Sequence, residues 1–72
     1  MMVRQKTQGR VTATHRSILR KIPLWLLRDA YGQLMLGRSE TLVARILEID
    51  PTVFDSALQS AIEEALWERG AL

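Results

Sequence analysis

Cysteine is absent from this 72-residue chain, proline occurs twice, and histidine, tyrosine and phenylalanine occur once each. Without thiols there is no disulfide and no thiolate metal cage, and one histidine cannot complete a zinc site unless several carboxylates converge on it. A chain of this length builds one small core with only a few kcal/mol of net stability. Association with a partner is then the remaining source of extra stability. Long apolar runs are also missing: residues 22–27 give six before Arg28 interrupts, and Pro23 is among them. That is too short for a signal peptide or a membrane span. The lack of cysteine fits a reducing, cytoplasmic setting.

Acid is missing from the first 22 residues, which carry Arg4, Lys6, Arg10, Arg16, Arg20 and Lys21. The other fifty residues carry four arginines against eight carboxylates, so the net charge of +2 hides a basic arm joined to an acidic body. Such an arm is an electrostatic footprint for phosphate or for an acidic protein surface. An arm that neutralised about six phosphates would bind nucleic acid with a steep salt dependence and no need of sequence specificity. The opposing reading makes it a solubilising tail, or a tail that folds onto the acidic body. An organelle-targeting presequence shares the arm's composition, but its removal would leave a body of only about fifty residues.

Catalytic signals are equally sparse. His15 has no acidic neighbour in sequence, and Glu63 and Glu64 point about a hundred degrees apart on a helix, so they cannot converge as an acid and base pair. Of the four glycines, only the Gly37-Arg38-Ser39 step could be read as a phosphate cradle. It has neither the preceding strand nor the following lysine of a nucleotide loop. No enzyme, no cofactor, no metal site and no small-molecule substrate are expected.

What is present is helix punctuation. Residues 1–13 read as a flexible basic arm and residues 14–72 as one small, mainly helical domain. Residues 14–22 stay open between a short helix capped by Thr14 and an extended strand that pairs in a dimer. Pro23 then suits a first helical position, and a helix runs from residue 24 to 36, where Gly37 stops it. Ser39 caps a second helix over 40–49, and Asp50-Pro51 opens a third that runs to Arg69 before Gly70. Leu24, Leu27, Tyr31 and Leu34 form one apolar stripe; Val53, Phe54, Ala57, Leu58, Ala61, Ile62, Ala65 and Leu66 form another. Trp25, Leu36 and Trp67 fall off these stripes and are candidate interface residues, since exposed tryptophans contribute disproportionately to association.

The order of residues 18–22, Pro23, a thirteen-residue helix and Gly37-Arg38-Ser39 opening a helix with Val43, Ile46 and Leu47 inside resembles the ribbon-helix-helix repressors. The resemblance covers about half of the chain and implies a basic strand that pairs with a dimer mate and enters the major groove of DNA. It implies outward strand residues Ser17, Leu19 and Lys21, and a phosphate anchor at Arg38-Ser39 on a helix N-terminus. Arg20 stands where that family carries an apolar inward residue. Residues 37–47 also resemble the turn and recognition helix of a helix-turn-helix.

These readings combine into an expected small, dimeric DNA-binding transcriptional regulator of bacterial or phage type. Duplex DNA would be held by Arg4, Lys6, Arg10, Arg16, Arg20, Lys21, Arg38 and Ser39. The alternative is a non-enzymatic helical adaptor or inhibitor that docks on a larger protein through Trp25, Leu36 and Trp67. Attachment of the arm and first long helix to an anionic membrane surface is a third, less expected mode.

Overall fold

A computed structural model describes residues 10–72, and they form a mainly helical body without a strand among them. Arg4 and Lys6, with most of the expected flexible arm, lie outside the described residues. Four helices of eight residues or more, α1 (Ala13–Arg20), α2 (Leu24–Met35), α3 (Glu40–Leu47) and α5 (Leu58–Glu68), are joined by short turns. A single helical turn, α4 (Pro51–Phe54), and a 3-10 turn (Asp55–Ala57) lead into α5.

Residues 14–22, open between strand and helix, are α1 followed by a turn. The cap is Thr12 and not Thr14: its hydroxyl accepts from the His15 amide (3.3 Å), while the imidazole of His15 accepts from the Thr12 amide at 3.1 Å. This is a capping box in which histidine occupies the place usually taken by Glu or Gln. With the chain helical to Arg20, the strand implied by the ribbon-helix-helix resemblance does not form within these residues.

Three of the expected signals act as written. Gly37 adopts φ 90° after α2, where the Gly37 amide bonds the Leu34 carbonyl and the Arg38 amide bonds that of Gln33. The Ser39 hydroxyl accepts from the Leu42 amide at 3.1 Å. Asp50 accepts from both the amide and the hydroxyl of Thr52 at 2.9 and 2.7 Å, and these bonds hold its carboxyl below the ordinary value. The expected continuous third helix is instead broken. Asp55 takes φ 52°, ψ −123°, a conformation that costs an L-residue about 1–3 kcal/mol, and α5 restarts on a new axis. Phe54, just before the break, is wholly buried, at 0% exposure.

The core is built from one stripe per helix: Leu19 from α1, Leu27, Ala30 and Leu34 from α2, Val43, Ala44 and Leu47 from α3, and Leu58, Ala61, Ile62 and Leu66 from α5. Each large aliphatic side chain buried this fully contributes about 1.5–3 kcal/mol. Helix α5 lies between α1 and α2. Two polar contacts fix its direction: Arg16 meets Glu64, and Arg69 reaches the end of α1, so α1 and α5 run in parallel. Tyr31 donates to Glu63 at 3.4 Å, which with the bond from Arg69 to Ile22, just before α2, sets α2 antiparallel to α5.

Arg69 closes the bundle. Its guanidinium donates to the carbonyl oxygens of Ile22 (2.8 Å), Leu19 (3.0 Å) and Arg20 (2.9 Å), at and just past the end of α1, where the Leu19 carbonyl also accepts from the Ile22 amide. Hydrogen bonds from a charged donor are worth about 1.5–3 kcal/mol each when sheltered, and the half-buried position of Arg69 reduces this. Replacing Arg69 by Ala is expected to cost about 2 kcal/mol in urea unfolding, with Arg69→Lys recovering less than half, because an ammonium cannot span three carbonyls. Asp55→Gly is expected to raise the melting temperature by several degrees, since glycine adopts the observed backbone without strain.

Candidate interaction surface

The six described residues among those expected to contact nucleic acid do not gather into one patch, and Arg4 and Lys6 lie outside the described residues. Arg10, Arg16, Arg20, Lys21 and Arg38 are exposed. Arg16 is committed to an ion pair with Glu64, Nε to Oε1 at 2.8 Å. That hydrogen bond, reinforced by the charge of Glu64, raises the Arg16 pKa above its ordinary value. Arg20 and Lys21 sit at the C-terminal end of α1, while Arg38 and Ser39 follow the C-terminus of α2. Helix α2 separates the two groups by its length of about 18 Å. Arg38 donates to Gln33 (3.3 Å), and the Ser39 hydroxyl is occupied as the cap of α3.

The charge balance sharpens this. Residues 10–72 carry eight cations and eight carboxylates, so the folded body is neutral and the excess of +2 resides in Arg4 and Lys6. The exposed side of α3, the expected recognition helix of a helix-turn-helix, presents Thr41, Leu42, Arg45 and Glu48 and has no net charge. The Glu40 carboxylate at its start accepts from the Gln59 amide at 3.3 Å, a place at the beginning of α5 where an acid also meets a favourable helix dipole.

The three off-stripe residues are where the helical phase puts them. Trp25, Leu36 and Trp67 are 70%, 73% and 70% exposed, and Met35 at 53% adds to the outer side of α2. Trp67 lines an open groove with Tyr31, Ser60, Glu63, Glu64 and Leu72 on the outer face of α5. Trp25 and Leu36 stand on the face of α2 opposite Leu27, Ala30 and Leu34. On that same face lie Arg28 and Asp29, with no hydrogen bond or ion pair to other described residues, and Gly32.

Two residues whose structural roles sequence reasoning missed are His15 and Arg69. His15, which has no acidic neighbour in sequence, is 5% exposed and stacked on Phe54 with ring centroids 4.5 Å apart. Its Nδ1 faces the Thr12 N–H and must accept, so Nε2 carries the proton and donates to the Val53 carbonyl at 2.8 Å. Both ring nitrogens are therefore occupied within the chain. A Thr-x-x-His spacing could have suggested the cap, but nothing local signals the bond to Val53, 38 residues away. Among the described residues no group of three or more His, Cys, Asp or Glu could hold a metal ion, and no helix is long and apolar enough to cross a membrane.

Comparison with family models, curated proteins and solved structures found no match.

His15→Ala would leave the Thr12 N–H and the Val53 carbonyl without partners and open a cavity beside Phe54. A loss of about 2–4 kcal/mol is expected in chemical denaturation. His15→Phe, which keeps the stack but not the bonds, should recover part of it.

Proposed function

We propose that the folded part of this chain is a non-catalytic protein-association module that docks through its exposed apolar residues. One observation carries the reading. Trp25, Leu36 and Trp67 are about 70% exposed while the core is complete without them. Large aromatic side chains left outside a finished core add nothing to folding and supply the anchors from which interfaces draw most of their energy. The commitment of both His15 nitrogens supports a non-catalytic role, because the chain's single imidazole has no free site for a proton transfer.

Nucleic-acid binding is the second reading. It is favoured by Arg20 and Lys21, which are exposed and make no ion pair with a described carboxylate, together with Arg4, Lys6 and Arg10 in the same segment of sequence. The pairing of Arg16 with Glu64 and the neutrality of residues 10–72 reduce what that segment offers to phosphate. A DNA-binding dimer, a regulatory role and a cytoplasmic setting belong to this reading.

The two separate in one set of measurements. A photo-cross-linking amino acid placed at 25, 36 or 67 should give discrete protein adducts in the cells that make the chain, and the same group at exposed Thr41 should not. Duplex DNA titrated at about 0.15 M salt should show only non-specific affinity, with a Kd of about 1 μM or weaker. Sub-micromolar duplex binding that is lost in an Arg20→Ala, Lys21→Ala variant, without adducts at the three positions, would replace the first reading by the second.

A further inference from the structure

The groove on the outer face of α5 is bounded by Tyr31 of α2 on one side and, on the other, by Arg16 of α1, which pairs with Glu64. Its lining is of two kinds. Glu63 and Glu64 come first along α5, and Trp67 and Leu72, 70% and 51% exposed, follow as apolar surface. No basic residue lines it. Glu64 is answered by Arg16, but Glu63 receives only neutral donors, Tyr31 at 3.4 Å and Gln59 at 3.5 Å. The groove therefore keeps a net negative charge beside its apolar end, and a fitting occupant brings cations and an apolar anchor together.

One segment of this chain has that composition. Residues 1–9, which lie outside the described residues, carry Met1, Met2 and Val3, then Arg4 and Lys6, and no acid. Their attachment is also at the correct end. Helix α1 runs parallel to α5 and its His15 bonds the Val53 carbonyl, so the chain enters α1 beside the start of α5. Counted back from residue 10, Lys6 and Arg4 can reach up to about 14 and 21 Å, and Met2 up to about 28 Å. Trp67 lies seven residues beyond Ser60, about 10 Å along α5. A segment laid back along α5 thus presents cations and then apolar side chains, in the order in which the groove presents carboxylates and then apolar surface.

We propose that residues 1–9 dock on this groove of their own chain, antiparallel to α5, with Lys6 and Arg4 beside Glu63 and Glu64 and with Met1, Met2 and Val3 over Trp67 and Leu72. The covalent tether favours the same chain over a second copy, since it supplies a local concentration of about millimolar. Exposed ion pairs and a small apolar patch make a weak contact that a competitor can displace. This goes beyond the association reading and sets a condition on it. A partner that uses Trp67 has to displace residues 1–9, and a phosphate that binds Arg4 and Lys6 has to draw them off the groove.

Because the chain has no cysteine, Gln5→Cys in the full chain carries a single nitroxide, whose broadening of amide NMR signals maps the surroundings of residue 5. Docking predicts the strongest broadening at Glu63, Glu64 and Trp67 and little at Thr41 on α3. Without docking, broadening is greatest next to residue 10 and falls off along α5. Adding Arg4→Glu and Lys6→Glu should convert the first pattern into the second, lowering the effect at Trp67 about fivefold or more, and Glu63→Lys should lower it as well. Isotope-labelled chains without nitroxide, mixed with nitroxide-bearing chains, should keep sharp signals. The proposal is overturned by the fall-off pattern in the otherwise wild-type chain, by a pattern that charge reversal leaves unmoved, or by broadening that passes between chains. The cross-linker at position 67 separates this contact from the association reading. Absence of adducts with the docking pattern intact would remove Trp67 from that reading and support this contact; adducts from a chain that shows the fall-off pattern would do the reverse.

Discussion

The rest of the bundle depends on how the carbonyl end of α1 is satisfied. An eight-residue helix is too short to hold itself together in water, and the carbonyls at its end call for donors from elsewhere in the chain. Arg69 resolves both problems from 47 to 50 residues away by donating to Leu19, Arg20 and Ile22 together. Because the guanidinium sits at the end of α5, the contact also dictates that α1 lies parallel to α5 and that the turn at residues 21–23 delivers α2 along the other flank. At the opposite end His15 performs the complementary task, capping α1 and tying it to the Val53 carbonyl over the ring of Phe54. A short helix is thereby held at both ends by polar contacts and in between by Leu19, which is wholly buried.

Those contacts redistribute the charge that dominates the sequence. Seven cations precede the first carboxylate in the chain, yet their positions along it do not decide what they face once folded. Arg16 is turned onto α5 and meets Glu64, so one of the residues closest to the folded body serves cohesion within it. The contact is exposed on both sides and adds little on its own. Its larger effect is directional, because it places the start of α1 beside the acidic face of α5. Phosphate arriving at this segment would compete with carboxylates already in place.

What could be read from sequence divides by the range of the interaction. Gly37, Ser39, Asp50-Pro51 and Gly70 mark helix ends through bonds that span two to five residues, and each has its expected place in the fold, whereas Pro23, expected as a first helical residue, is the extended residue that precedes α2. The phases of Trp25, Leu36 and Trp67 were legible for a similar reason, since helical periodicity fixes their angle to the buried stripe. The break at Asp55 was not legible. No glycine or proline marks it, and nothing in the local sequence signals the positive φ that Asp55 adopts. Nor were the roles of His15 and Arg69, whose partners become neighbours only after folding. Thr14 lost the cap to Thr12 because the imidazole two residues upstream of Ser17 could complete a reciprocal pair of bonds that a threonine alone does not.

The buried and the exposed apolar residues therefore carry different kinds of information. Leu19, Leu27, Phe54 and Ile62 are inside, and their contribution is spent on making one fold from residues 10–72 without a disulfide. Trp25 and Trp67 keep most of their surface in water, so removing either changes the folded chain little and changes only what that chain can meet. Gly32 extends the argument in the other direction, because it weakens α2 without relieving any contact in the chain. An unfavourable residue and an unburied tryptophan on one helix face are two local departures from what folding alone would select.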